Sequence, residues 1–400
     1  MGQKNRPRVP FGGFVGKVYL CVVMAGVYVH IPFCASRCSY CDFYSTLQLG
    51  TMGEGYVEAV IAEARLRREE LHGEPVRTLY LGGGTPSQLP VVLLGKLLEG
   101  LQEELDLAAV EEFTIEANPD DVSGEWCDDV ISLGVNRVSM GVQSFQDDIL
   151  RFIGRRHTAL QAAEAIARLH GAGIGNVSID LIFGLPGQTV ESWTHSVDKA
   201  LALSPQHISA YGLTYEEGTR LWRQRERGDV VELPEEQCLE MYVILVDHLQ
   251  AAGFEHYEIS NFSLPGYRSR HNSAYWSDTP YLGLGAAAHS YDGTVRRYNP
   301  SDLNEYIGKV MSGVTPCLQE ELTQWQRYDE RVMLGLRTVD GVDADRLRRD
   351  FGEKAWLHFT SEAQRHITQG RLKEKNGHYV LTREGIMLSD SIVRDLMWDA

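Results

Sequence analysis

The chain has 400 residues and a formal net charge of -17: long enough for one large α/β domain with a smaller appendage, and too acidic for non-specific attraction to nucleic-acid phosphates, which depends on clustered Lys and Arg. Seven cysteines, an odd number with three in one short loop, do not read as a disulfide framework and suit a reducing compartment, so a cytoplasmic location is expected. The best apolar run, residues 15–33, is broken by Gly16, Lys17 and Gly26, and no transmembrane segment is expected.

At the start, Lys4, Arg6 and Arg8 precede a moderately apolar stretch at 11–23 that imitates a secretory signal. Lys17 interrupts its apolar core and Met24 offers a second translation start, so residues 1–25 are expected to form a disordered extension. The sequence leaves Met1 and Met24 both open as the start. A strand over 27–31 then runs into Cys34-Ala-Ser-Arg-Cys38-Ser-Tyr-Cys41. Three thiolates so close can converge on one face of an iron–sulfur cluster and leave a fourth corner unclaimed. Such clusters normally take four cysteine ligands, and a metal centre that does chemistry keeps one position open. A structural zinc site is the alternative. It needs a fourth ligand nearby, and none of Cys127, Cys238 or Cys317 lies in a paired C-x-x-C arrangement.

Residues 53–71 have helical apolar spacing and lead to a strand over 78–81 that ends in Gly82-Gly83-Gly84-Thr85-Pro86. This glycine run lacks the terminal Gly-Lys-Ser/Thr of a phosphate-binding loop; it is a tight turn or a loop whose bare backbone approaches a ligand. Further short apolar runs at 113–117, 137–141, 177–183 and 207–211 alternate with helical stretches. Six strands separated by crossover helices predict a parallel α/β sheet, and six β/α units suggest a partial barrel, open on one side. Ligands of such sheets sit at the carboxyl ends of the strands. There the sequence places Glu116, Gln143, Arg155 and Asp180, with Thr214 after the sixth strand. Singly, an acid in a barrel strand is often a paired core carboxylate; together these side chains offer acceptors and one cation.

A helix is expected over 234–252, then an irregular section over 254–298 rich in Gly, Tyr and His, facing the open side. It contains His271-Asn272-Ser273-Ala274-Tyr275-Trp276 and the small-residue run 283–290 with His289. From about 301 the chain turns to charged helices and ends in a winged-helix-like unit: a hairpin of 371–374 and 378–381 around Asn376-Gly377, then a helix from Thr382. Near-equal numbers of acidic and basic residues after 320 point to packing or partner binding rather than DNA.

The cysteine spacing, with Tyr40 before the third cysteine, resembles the radical S-adenosylmethionine (SAM) superfamily. That resemblance implies a partial (β/α)6 barrel and a [4Fe-4S] cluster on Cys34, Cys38 and Cys41 whose open iron binds SAM. Over nearly the whole chain from Gly26 it extends to the oxygen-independent coproporphyrinogen III oxidases and their relatives, which implies SAM contacts at Tyr28, Tyr40, Gly83, Gly84, Thr85, Glu116, Gln143, Arg155 and Asp180, with Thr214 as an addition. Two departures separate the chain from the oxidases. Phe43 stands where they carry a fourth cysteine, and only the doubtful tail precedes Gly26 where they carry a longer ordered segment.

The stretch 271–276 looks like the H-N-x-x-Y-W signature of the HemW heme chaperones in this superfamily. It implies heme as a further cofactor, with His271 as the axial iron ligand, flat faces from Tyr275 and Trp276, and His289 as the next candidate. A satisfied structural histidine is the alternative for His271. The expected function is a carrier that binds heme and passes it to acceptor hemoproteins; the alternative is oxidative decarboxylation of porphyrinogen propionates by a coproporphyrinogen III dehydrogenase. The expected layout is a radical SAM core over 26–300, holding the heme-binding segment near 271–276, and a helical, winged-helix-like domain over 301–400. The chain is expected to be a monomer, with a dimer as the alternative.

Overall fold

The computed structural model describes residues 25–398. The expected extension therefore lies, except for Ala25, outside the described residues. Six strands, β1 (Ala25–Ile31), β2 (Val76–Gly83), β3 (Glu112–Ala117), β4 (Arg137–Gln143), β5 (Val177–Phe183) and β6 (His207–Gly212), pair in parallel in chain order. Val27, Val29, Ile115, Val138, Ile179 and Ile208 share one face of the sheet and are fully buried against the helices, while Thr114, Arg137, Ser178 and His207 on the other face are buried and polar. Burial on both faces is usual for a parallel sheet. The returning helices are Leu49–Arg67, Val91–Glu104, Gly124–Ser132, Ala159–Ala172 and Val190–Ala202. Two of them start in reciprocal capping boxes, at Thr158 with Gln161 and at Thr189 with Ser192, which settle backbone donors that a helix end leaves unpaired.

The section read as irregular extends the sheet at both ends. β7 (Glu255–Glu258) and β8 (Asn261–Ser263) add antiparallel beyond β6, and β9 (Tyr281–Leu284) adds parallel to β1. Beyond β9 follow β10 (His289–Tyr291), β11 (Val295–Tyr298) and β12 (Leu318–Glu321), all antiparallel. The order is β12-β11-β10-β9-β1-β2-β3-β4-β5-β6-β8-β7, so the two ends of the sheet do not join. Strands of three or four residues are too short to show a period of two, which is why they read as irregular.

A buried polar knot fixes the turn after β9. Glu63 and Arg67, both on the first helix and both buried, pair at 2.6 Å. The Glu63 carboxylate also accepts from the Gly285 amide (2.8 Å), Asn299 Nδ2 (2.7 Å) and the Tyr306 hydroxyl (2.6 Å). Arg67 donates to the Gly283 carbonyl (3.0 Å) and to Ser290 Oγ (2.8 Å). The turn itself needs its glycines: a Cβ at Gly283 would sit 1.9 Å from the His289 carbonyl oxygen, and Gly285 has a φ of +100°.

The helix Leu303–Met311 lies beyond the boundary read at 301, yet it buries Leu303, Tyr306 and Val310 in the barrel's own core. A second core begins with Tyr328 and ends with Leu396. It is built from the helices Gln324–Leu336, Ala344–Thr368 (broken at Gly352) and Ser389–Leu396 around a sheet of β13 (Val342–Asp343), β14 (Leu372–Lys375) and β15 (His378–Leu381). The hairpin β14–β15 turns at Asn376 (φ 54°) and Gly377 (φ 81°), the left-handed pair a two-residue hairpin demands. Thr382 caps the next helix by accepting from the Gly385 amide at 3.1 Å. This smaller unit docks on β7: the Ile259 amide donates to the Arg337 carbonyl and the Val339 amide to the Tyr257 carbonyl, each at 3.1 Å.

Removing one partner of a buried ion pair strands the other charge and typically costs about 3–5 kcal/mol. Arg67→Leu is therefore expected to lower the urea midpoint strongly, whereas Arg65→Leu, which removes an exposed side chain paired with Glu104, should leave it nearly unchanged. Equal effects would remove the knot as a stabilising element.

Candidate functional site

The cysteine loop is fastened to the sheet by the glycine turn. The Gly84 amide donates to the Ile31 carbonyl and the Thr85 amide to the Phe33 carbonyl, each at 2.9 Å, while the Gly83 amide donates to Glu116 Oε2 at 3.0 Å. A Cβ on Gly84 would lie 2.7 Å from the Pro32 backbone, so only glycine allows this approach. These three amides are engaged inside the protein and are not available to an anion. Thr85 Oγ1 lies 3.3 Å from Cys34 Sγ, and the Ser39 amide donates to the Ile153 carbonyl at 2.9 Å, pinning the middle of the loop.

Above the carboxyl ends of β2 to β6 lies a cavity of about 430 Å³, within the ~300–1,000 Å³ usual for ligand sites. Cys34, Cys38, Tyr40, Cys41, Gly83, Gly84, Thr85, Glu116, Gln143, Arg155, Asp180 and Thr214 all line it. Arg155 is clamped by Asn118 Oδ1 (2.5 Å) and the Gly141 carbonyl, with Nη1 3.6 Å from Cys38 Sγ; its buried Nε has no partner. Glu116 Oε1 accepts from the Tyr80 hydroxyl at 2.8 Å, and Asp180 accepts from Ser139 Oγ at 3.2 Å. Gln143 has a φ of +67° where β4 and β5 shift register, a conformation that costs a non-glycine residue energy and recurs at ligand sites. Burial pushes the Cys41 thiol up to about 11, so a thiolate there depends on a bound cation. Among the described residues, no three His, Cys, Asp or Glu side chains close round a single metal-ion position; a multi-iron cluster spreads its thiolates further apart. Asn118 and Tyr211 also line the cavity and were not singled out from the sequence, although both stand at strand ends, where the barrel rule could have found them.

Two expected residues lie elsewhere. Tyr28 lines a second cavity of about 550 Å³, together with Tyr44, Tyr275, Tyr281, His289 and Leu334. Asp42 and Phe43 border both cavities. His271 lines neither. It is 1% exposed, its Nδ1 is hydrogen-bonded to Thr78 Oγ1 (2.8 Å) and its Nε2 to the Tyr275 hydroxyl (2.9 Å), and its ring stacks on Tyr80 at 5.0 Å. The Glu112 carboxylate holds the surrounding helix by accepting from the Arg270 and His271 amides at 3.0 and 2.9 Å. Both ring nitrogens of His271 are thus engaged inside the protein, so iron ligation by its lone pair would require one of these hydrogen bonds to break, and the signature forms a docked helix that presents Tyr275 to the second cavity.

Burial and the nearby Arg137 lower the His271 pKa to about 3, and burial lowers those of His30 and His157 to about 4. Unfolded, each would titrate near 6.5. The stability these neutral rings contribute is complete above that pH and is lost as pH falls toward their folded values. Glu116, raised by burial to about 7, acts oppositely: its contribution is present at low pH and lost as pH rises through 7. His207 and His256 are shifted in the same direction as these histidines, and Asp180 and Glu258 in the same direction as Glu116; His30, His157 and His271 on their own should each lower the unfolding free energy by roughly 1 kcal/mol between pH 7 and 5.5. His271→Ala should flatten that dependence and lower the midpoint at pH 7. A pH profile identical to that of the unaltered protein would contradict the buried placement.

The family description Radical SAM superfamily matches residues 28–200, and HemN C-terminal domain matches 322–388. The solved Escherichia coli coproporphyrinogen III oxidase HemN is similar with a TM-score of 0.81 over 94% of this chain and 91% of that one; at 23% identity this shows the fold. Heme chaperone HemW of Lactococcus lactis is 36% identical over 93% of this chain and 97% of its own length, and that of Bacillus subtilis 36% over 92% and 98%. A mitochondrial radical S-adenosyl methionine domain-containing protein 1 of Mus musculus is 32% identical over 98% and 92%. The chain belongs to the HemW family of the radical SAM superfamily.

Proposed function

We propose that this chain binds heme and passes it to acceptor hemoproteins, acting in the cytoplasm, and that the cavity at the strand ends holds a [4Fe-4S] cluster on Cys34, Cys38 and Cys41 with SAM beside it. The observation that carries the heme reading is the likeness to proteins named heme chaperones across nearly the full length of both chains. No helix among the described residues is long and apolar enough to cross a membrane.

The lining residues fit the cluster and SAM. Three thiols share one cavity wall, the Arg155 Nε is a buried donor still lacking an acceptor, and the glycine turn brings bare backbone to the same cavity. When bound, a reduced cluster supplies an electron that can cleave SAM. Arg155 would orient the carboxylate of SAM through its free Nε. Glu116, beside Gly83, Gly84 and Thr85, would take the ammonium, whose charge would draw the Glu116 proton off. Asp180 and Gln143 supply acceptors for ribose hydroxyls, and Tyr40 walls the site next to Cys38.

Cys38→Ser is expected to abolish stable four-iron incorporation after anaerobic reconstitution, and Cys127→Ser to leave it intact; full cluster content in the Cys38 variant would sink the ligand assignment. A charge-assisted contact is worth about 1.5–3 kcal/mol, so Arg155→Ala should weaken SAM binding by about one to two orders of magnitude while iron content is retained. Heme titration of the reconstituted protein should give a saturable Soret band. Anaerobic incubation with coproporphyrinogen III, reductant and SAM should give no decarboxylated product; turnover there would replace the carrier by the dehydrogenase.

A further inference from the structure

The second cavity lies between the barrel and the C-terminal unit. Tyr28, Tyr44, Tyr275 and Tyr281 come from the barrel side, and Leu334 and Glu330 from the helix Gln324–Leu336. Its volume of about 550 Å³ is of ligand size, and flat aromatic walls suit a planar macrocycle. Two imidazoles line it. His30 is fully engaged, Nδ1 with the Tyr28 hydroxyl (3.1 Å) and Nε2 with the Tyr44 carbonyl (2.9 Å). His289 is exposed, neither of its ring nitrogens is hydrogen-bonded, and its ring leans on Tyr298 at 5.9 Å. The Glu63–Arg67 knot fixes the turn that leads into His289, so the imidazole is held on a rigid mount. Partial desolvation and the nearby Arg296 lower its pKa, favouring the neutral state an iron ligand needs.

Two of the three carboxylates on the rim are paired, while Asp42 has no ion pair among the described residues. Arg296 pairs with Glu330 at 2.9 Å, and Asp278 is held by Arg331 and Arg346. Arg296 is the one cation among the residues lining the cavity and can exchange Glu330 for a propionate.

Resting on the heme-carrier reading, we propose that heme binds in this second cavity, between the barrel and the C-terminal unit, with His289 as its iron ligand and Arg296 meeting a propionate. Phe43, 67% exposed and bordering both cavities, would then stand between heme and the cluster loop. His271 supports the wall of this cavity through Tyr275.

The test uses the full chain, reconstituted anaerobically and titrated with hemin. His289→Ala should shift the Soret band and weaken binding by about tenfold or more, with the band restored by added imidazole. Leu334→Trp, which fills the cavity from the C-terminal side, should weaken hemin binding by a similar factor. Cluster absorbance and SAM binding should be unchanged in both, which reports that they fold. Hemin bound by the unaltered protein with the same band and affinity in both variants would overturn this site and leave the carrier reading standing. No saturable hemin binding by the unaltered protein would remove the carrier reading and this site together.

Discussion

The structure depends on the close approach between the glycine turn after β2 and the end of β1. The amides of Gly84 and Thr85 reach the carbonyls of Ile31 and Phe33 only because no Cβ intervenes. That contact sets the height of the cysteine loop above the sheet. It also aligns Glu116 through the Gly83 amide, so one backbone constraint orders the thiols, the acceptor carboxylate and the mouth of the cavity at once. A side chain larger than hydrogen at Gly84 would separate these parts without touching any of them.

The two cavities differ in what they are built from. The first is made of strand ends, whose positions follow from the parallel register, and its polar groups sit beside fixed backbone. The second combines Tyr28 and His30 of β1 and residues 42–44 with short strands, a docked helix and a helix from the C-terminal unit. Its walls are joined by ion pairs such as Arg296–Glu330 and by the edge contacts of β7. A cavity walled by two units can widen at their junction without disturbing the parallel strands.

Much of this was legible in the sequence, and the limits have physical reasons. The six parallel strands were found because strands buried on both faces are apolar runs between helical stretches. The first cavity followed from them, since strand-end residues converge whatever the details of packing. Tyr28 and His271 were harder. Tyr28 belongs to the strand that leads to the cluster, but the side it faces is decided by β9 packing beside β1, and β9 has four residues. The His271 signature was intact as a pattern, yet its hydrogen-bond partners Thr78 and Glu112 are both remote in sequence. His289 was visible only as one histidine after a run of small residues, because its mount is the buried pair of Glu63 and Arg67 on a different element.

The pairing of β1 with β9 also constrains the order of assembly. Gly26 meets Tyr281 roughly 250 residues later in the chain, a long-range contact of the kind that forms late. The three thiols therefore leave the ribosome well before the strands that wall their cavity, and before the edge of β1 is covered. Until then the loop is open to solvent and oxidant, so loading of the cluster belongs after the sheet has closed over β1, on a nearly complete chain.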